Sequence, residues 1–299
     1  MYKFKTEPYE HQKDALKKCW NKKAFAIFAE MGTGKTKIAL DNACILYNQG
    51  KIDNLLVIAP KGTYMTWVEQ EIPIHIPDYI DREVLAWKPS TSEKYKAQLR
   101  ALRKTSFKLR IFVMNVEALS TKKGLKEALL FLNFKSMMIV DESTTIKNPK
   151  AKRTKNILLL AKEAKYRRIL TGSPVTQSPM DLWAQMDFLD PEILGQQSYY
   201  AFRTRYAVII TANAAGGTHK YQKIVKFRNL AQLGKLVSPH SYRVLKKDCL
   251  DLPPKVYAKR EVELTDEQRE AYSEMKTDAI AQLKGQSTTA LNVLTQLIR

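Results

Sequence analysis

The chain has 299 residues and 44% of them are hydrophobic, enough for one large packed domain and part of another. Lys and Arg number 50 against 30 Asp and Glu, and the formal net charge of +20 favours a polyanionic partner. No apolar run nears the roughly 18 residues of a membrane span, and the opening MYKFKTEPYEHQ lacks the apolar core of a secretion signal. Three scattered cysteines (Cys19, Cys44, Cys249) and four scattered histidines show neither paired nor zinc-ligand spacing, so an intracellular chain without a structural metal is expected.

In chain order, short apolar runs alternate with helical stretches. Ala24–Ala29, Asn54–Ala59 and residues 83–87, 110–114, 136–140 and 168–170 are rich in Ile, Val, Leu, Met or Phe, as strands buried on both faces are. Between them, Lys35–Asn48 is amphipathic and stops before Gly50, and residues 92–104 and 154–165 carry apolar side chains at helical spacing. This alternation predicts an α/β fold with a mainly parallel sheet flanked by helices. The pattern changes after about Pro191. Residues 206–211 and 218–225 read as a long-looped hairpin, DLPPK (251–255) as a linker, and 261–299 as helix opening on the capping signature Thr265-Asp266-Glu267-Gln268. The expected division is 1–200 for the main lobe, 201–250 for a basic hairpin extension, and 251–299 for a linker and helices leading onward. Basic charge is segregated: residues 220–247 hold eight Lys or Arg and no acid, and 147–168 hold Glu163 alone.

Three stretches carry chemistry. AEMGTGKT (29–36) follows an apolar strand and opens an amphipathic helix, the context of a phosphate loop. Met31, Gly32, Thr33 and Gly34 would cradle phosphates with backbone N–H groups, Lys35 would neutralise the β- and γ-phosphates, and Thr36 would offer its hydroxyl to Mg²⁺. MMIVDEST (137–144) is a buried strand ending in two carboxylates, about 110 residues beyond the loop. Asp141 suits Mg²⁺, directly or through water, and Glu142 suits orienting or deprotonating an attacking water. In RRILTGSPV (167–175), Thr171, Gly172 and Ser173 end a strand, where short hydroxyls can sense the carboxylate loop. A capped turn before a helix has the same composition. Trp67, Trp87 and Trp183 can stack on bases or pack in the core.

The order HQ, GTGKT, APKG with a following Trp, DE with a following IKN, then TGSP and DLW resembles the Swi/Snf-type ATPases of helicase superfamily two, from about Pro8 onward. The resemblance implies a RecA-like P-loop lobe that uses ATP and Mg²⁺ and acts on double-stranded DNA. It implies Gln12, in Tyr9-Glu10-His11-Gln12, as the reader of adenine. It makes Pro60, Lys61 and Gly62, and Asn115 within FVMNVEAL, the residues facing nucleic acid. YRVLKKDCLDLPPK is similar to the family's bridge towards a second RecA-like lobe, whose arginines complete the ATP site in relatives, and nothing after TGSP reads as that lobe. The wording TGSPVTQSPMDLW resembles compact phage or bacterial members. DEST stands where the family has DEAH or a close variant, so Thr144 replaces a coupling histidine, with Thr171 or Ser173 as the expected hydroxyl partners. Thr176-Gln177 replaces the usual Gln-Asn. A strand-separating helicase or restriction-system motor, and a nucleotide-gated binding module with little catalysis, are the alternative readings.

Overall fold

AFAIFA is wholly apolar, and NLLVIA is apolar after Asn54, because both faces of these strands are covered: Ala24–Ala29 (β1) and Asn54–Ala59 (β2) are buried at every position. The computed structural model describes residues 2–104, 107–196, 198–213, 220–249 and 258–285. The further strands are Arg82–Ala86 (β3), Leu109–Asn115 (β4), Ser136–Asp141 (β5), Tyr166–Thr171 (β6), Ala207–Asn213 (β7), Lys220–Phe227 (β8) and Ser241–Val244 (β9). Seven of them form one sheet in the order β3-β4-β2-β5-β6-β1-β9, with every neighbouring pair parallel.

Side chains alternate between the two faces of each strand. Phe28, Ile58, Met114 and Val140 point into one core, against Leu99 of Glu93–Lys104 (α3), Phe131 of Lys122–Phe131 (α4), Ile157 of Lys152–Ala161 (α5) and Met186 of Leu182–Leu189 (α6). Ile27, Val57, Val113 and Ile139 point into the other, against Leu16 of Glu10–Cys19 (α1) and Ile38 of Lys35–Asn48 (α2). Numbering helices in chain order, the later ones are Tyr199–Tyr206 (α7), Leu230–Val237 (α8) and Asp266–Gly285 (α9).

Several boundaries move for local reasons. The helix expected from Ser92 begins at Glu93, because the Ser92 hydroxyl accepts from the Tyr95 N–H at 3.3 Å and caps it from outside. The strand expected over 168–170 begins at Tyr166, and its Arg168 is fully buried. The helix expected over 154–165 runs Lys152–Ala161. β9 adds a strand that its four residues, SYRV, did not announce. Gly50 closes α2 as expected: at φ +65° its N–H reaches the Tyr47 carbonyl at 2.8 Å.

The chain divides into two units, one of residues 1–209 with 224–251 and one of 210–223 with 252–299. The stretch 201–250 is therefore shared between them, since β9 belongs to the central sheet. β7 and β8 pair as a separate ribbon, offset from the expected 206–211 and 218–225 because Tyr206 ends α7 and is buried. Residues 214–219, the expected linker at 251–255 and the final ALNVLTQLIR lie outside the described residues. In the second unit α9 opens on the expected reciprocal cap: the Thr265 N–H donates to Gln268 Oε1 at 3.2 Å and the Gln268 N–H to Thr265 Oγ1 at 3.3 Å. Among the described residues no helix is long and apolar enough to cross a membrane.

Candidate active site

In an all-parallel sheet the carboxyl ends of the strands share one edge, and loops leaving neighbouring strands meet there. β1 ends at Ala29 and runs into the Gly-rich loop and α2. Gly32 and Gly34 sit at φ +80° and +82°, where side chains are strained. A Cβ on Gly34 would stand 2.2 Å from Gln12 Nε2, so the glycine is also demanded by close approach. Gln12, buried on α1, donates from Nε2 to the Thr33 carbonyl at 3.1 Å and accepts from the Tyr9 N–H at 3.1 Å. His11 Nε2 meets the same carbonyl at 2.8 Å. Gln12 thus fastens the loop to α1, and its amide keeps one N–H and one lone pair for a further partner. Met31 is 73% exposed at the tip of the loop.

Two strands away, β5 delivers Asp141 and Glu142 to the same edge. Lys35 is nearly buried, and its Nζ lies 3.8 Å from Glu142 Oε1. Glu142 holds φ 43°, ψ 61°, a strained conformation for a residue with a side chain. Asp141 is buried, with Oδ2 accepting from the Trp67 indole N–H at 3.0 Å and Oδ1 from the Glu142 N–H at 2.9 Å. Burial pushes the Asp141 carboxyl up, the Trp67 bond opposes this, and the Glu142 charge adds to it. Trp67 opens a π turn, Trp67–Glu71, of which it is the one residue buried in the core. Thr36 is half-buried at the first turn of α2, beside Lys35. A threonine hydroxyl with one anchored carboxylate fits magnesium, which takes few protein oxygens and completes its shell with phosphate and water.

β6 lies between β5 and β1, so the turn after it touches both. A Cβ on Gly172 would stand 3.4 Å from the Ala29 carbonyl oxygen and 3.4 Å from Glu30 Cα, which packs TGSP directly on the Gly-rich loop. The Thr171 hydroxyl accepts from the Ser173 N–H at 3.2 Å. Among the described residues Thr144 makes no side-chain hydrogen bond to Thr171 or Ser173. The contact between the two loops runs one residue earlier. Ser143 Oγ donates to Gln185 Oε1 at 2.6 Å, and Gln185 Nε2 donates to the Pro174 carbonyl at 2.7 Å and the Asp181 carbonyl at 2.8 Å. The carboxylate of Asp181 braces the same turn, accepting from the N–H groups of Thr176 at 3.0 Å and Gln177 at 2.9 Å.

Pro60, Lys61 and Gly62 leave β2, and Asn115 ends β4, where it pairs in register with Ala59. Lys61 and Gly62 are exposed, while Asn115 Oδ1 is committed to capping the Ala118 N–H at 2.9 Å. Trp67 and Trp87 are core residues, and Trp183 is half-buried with its ring 5.7 Å from that of Tyr199.

A profile of the SNF2-related domain matches residues 11–299, nearly the whole chain. The chain belongs to the SNF2-related domain family. Over 135 residues it is 36% identical to "TATA-binding protein-associated factor MOT1" of Saccharomyces cerevisiae, covering 45% of this chain and 7% of that protein. Over 296 residues it is 27% identical to "CHD3-type chromatin-remodeling factor CHR7" of Arabidopsis thaliana, covering 94% of this chain and 21% of that one. The chain thus spans a small part of these relatives. The solved SWI2/SNF2 ATPase core of Sulfolobus solfataricus in complex with dsDNA superposes with a TM-score of 0.62 at 23% identity, over 99% of this chain and 58% of that one. That likeness is one of fold, and the RecA-like α/β architecture expected of an SNF2-related lobe is the one observed. These relatives are eukaryotic and archaeal, and give no support to a phage or bacterial source.

Some of this SNF2-related site was not evident in the sequence. Gln185 sits in a helix that looks merely apolar, and DLWAQM signalled only family likeness. Trp67 was read as a base-stacking or core residue, and its N–H to a carboxylate 74 positions later could not be seen before folding.

Proposed function

We propose that this chain is the ATP-binding lobe of a nucleic-acid-dependent motor that works along double-stranded DNA. The observation that carries the proposal is the convergence of Lys35, Asp141 and Glu142 on one sheet edge, beneath a TGSP turn packed against the Gly-rich loop. The loop amides and Lys35 hold the phosphate chain, and Thr36 and Asp141 hold a magnesium ion, which when bound supplies charge neutralisation at the phosphates. Glu142 orients and deprotonates the attacking water, and Trp67 fixes the Asp141 carboxylate. Gln12 reads the adenine edge with the amide atoms left free by the loop. Ser143 and Gln185 carry the state of the carboxylate loop to the TGSP turn, the part the resemblance assigned to Thr144 with Thr171 and Ser173.

Pro60, Lys61, Gly62 and Asn115 face the DNA backbone, and the similarly folded archaeal core, solved in complex with dsDNA, supports that choice of partner. Binding through phosphates is nearly independent of sequence and falls with salt. The lobe alone hydrolyses ATP poorly, because the arginines that complete such sites belong to a second lobe, and an arginine finger is commonly worth about 10³–10⁵ in turnover.

Titration with a fluorescent ATP analogue in Mg²⁺ tests the reading. Saturable binding that is lost in Lys35→Ala is expected, and binding indifferent to Lys35 contradicts it. Gly34→Ala is expected to weaken the same binding more than about tenfold, since the strained φ and the displaced Gln12 both distort the loop. Wild-type affinity in that variant would show that the loop is not the phosphate site.

Trp67→Phe tests the carboxylate. Burial already raises the Asp141 pKa, and losing the indole donor raises it further, so more of the group is protonated at a given acidic pH. The acid limb of Mg²⁺-dependent ATP binding is expected to move to higher pH, while metal-free binding keeps its profile. An unmoved acid limb contradicts the assignment of Asp141 to the metal.

A further inference from the structure

β9 runs parallel beside β1 with Val244 in register with Ala29, so both chains leave the sheet at the same edge and in the same direction. The residues after β9 must therefore pass alongside the Gly-rich loop. Two hydrogen bonds hold them there: the Glu30 N–H donates to the Val244 carbonyl at 3.1 Å, and the Lys246 N–H donates to Glu30 Oε2 at 2.6 Å. The side chain of Lys246 then lies against Gly32. A Cβ on Gly32 would stand 3.3 Å from Lys246 Cε and 3.4 Å from its Nζ. The half-buried Lys246 has no salt-bridge partner among the described residues, whereas Lys35 already has Glu142 at 3.8 Å. Two ammonium groups and the N-terminus of a 14-residue helix thus surround one glycine loop, with the Glu30 and Glu142 carboxylates as the neighbouring acids. The side-chain charges roughly balance, so the pull on an anion comes from the helix N-terminus and the loop N–H groups, with both ammonium groups within reach of what they hold.

We propose that Lys246 is a second phosphate-binding residue of the nucleotide site, supplied by the strand that closes the sheet. The proposal rests on the nucleotide reading given above. Lys246 approaches the phosphate chain from the β9 side while Lys35 approaches from within the loop. It also opens the short helical turn Lys246–Cys249. This gives a specific task to one residue of the basic 220–247 stretch.

The test is a titration of fluorescent ATP, ADP and adenosine analogues, in Mg²⁺, against the wild type, Lys246→Met, Lys246→Arg and Lys247→Met. Lys247 is exposed and adjacent, and serves as the charge control. Lys246→Met is expected to weaken ATP at least about tenfold, as loss of one charge-assisted contact does, with ADP affected and adenosine unchanged. Lys246→Arg retains most of the affinity, and Lys247→Met binds as the wild type does. ATP binding that is unchanged or tighter in Lys246→Met overturns the proposal, the tighter case making Lys246 a competitor of phosphate. Equal losses in Lys246→Met and Lys247→Met also overturn it, because net charge alone would then account for the effect. Wild-type binding that Lys35→Ala abolishes and Lys246→Met leaves intact removes this inference alone, whereas a wild type that binds no nucleotide removes the nucleotide reading with it.

Discussion

In a polypeptide that joins this lobe to a second one, Glu142→Gln is expected to cut ATP turnover by about 10²–10⁴-fold while ATP affinity stays within a few-fold or tightens. Its carboxylate is 38% exposed at the carboxyl edge of the sheet and lies 3.8 Å from Lys35 Nζ, whereas both oxygens of Asp141 accept hydrogen bonds. Glutamine keeps the shape and the left-handed backbone but cannot take a proton from water. It also releases Lys35 from an ion pair at 3.8 Å, which favours phosphate binding. Single-turnover hydrolysis alongside equilibrium binding separates the two effects. Unchanged turnover contradicts the role of Glu142, and lost binding shows it to be structural.

Arg168→Leu is expected to lower folding stability by about 4 kcal/mol, read as a shift of the urea midpoint at constant slope. Arg168 is fully buried on β6 with no carboxylate partner among the described residues, and burial lowers its pKa. Its guanidinium donates to the carbonyls of Cys19 at 2.9 Å, Lys22 at 2.7 Å, Lys23 at 3.2 Å and Arg167 at 2.8 Å, and to Asn42 Oδ1 at 2.9 Å. Asn42 in turn donates to the Trp20 carbonyl at 2.9 Å. One side chain thereby satisfies the carboxyl end of α1 and the whole turn into β1. Leucine fills the space but takes a donor from each acceptor, most severely from the buried Asn42 Oδ1, while the Cys19 and Lys23 carbonyls keep the N–H groups of Lys22 at 3.0 Å and Arg167 at 2.7 Å. A loss under about 1 kcal/mol would mean that water replaces the guanidinium and that the turn is not held as described.

Arg168 also shows why parts of the fold were hidden. β1, β2 and α2 were legible to the residue, because unbroken apolar runs and a Gly-closed amphipathic helix leave few alternatives. The expected β6 opened at Arg168, two residues late, because Tyr166-Arg167 extends no apolar run and the acceptors that take up the buried Arg168 come from a distant segment. β9 was invisible because four residues hold no periodicity and its stability comes from pairing with β1. The Gly-rich loop and the DE pair could be placed at strand ends because each follows an unbroken apolar run. The link through Ser143 and Gln185, 42 positions apart, depends on how α6 docks and has no local signal. The same holds for Lys246 beside Gly32, which are separated by most of the chain.

The central claim is tested most directly by ATP hydrolysis, measured with this lobe and a second lobe in one polypeptide, without nucleic acid and with duplex DNA, single-stranded DNA or RNA. Strong stimulation by duplex DNA, lost in Glu142→Gln, is the predicted result. Stimulation by single strands or RNA in place of duplex would contradict the duplex motor and favour a strand-separating enzyme, and no stimulation by any of them would leave a nucleotide-gated binding module.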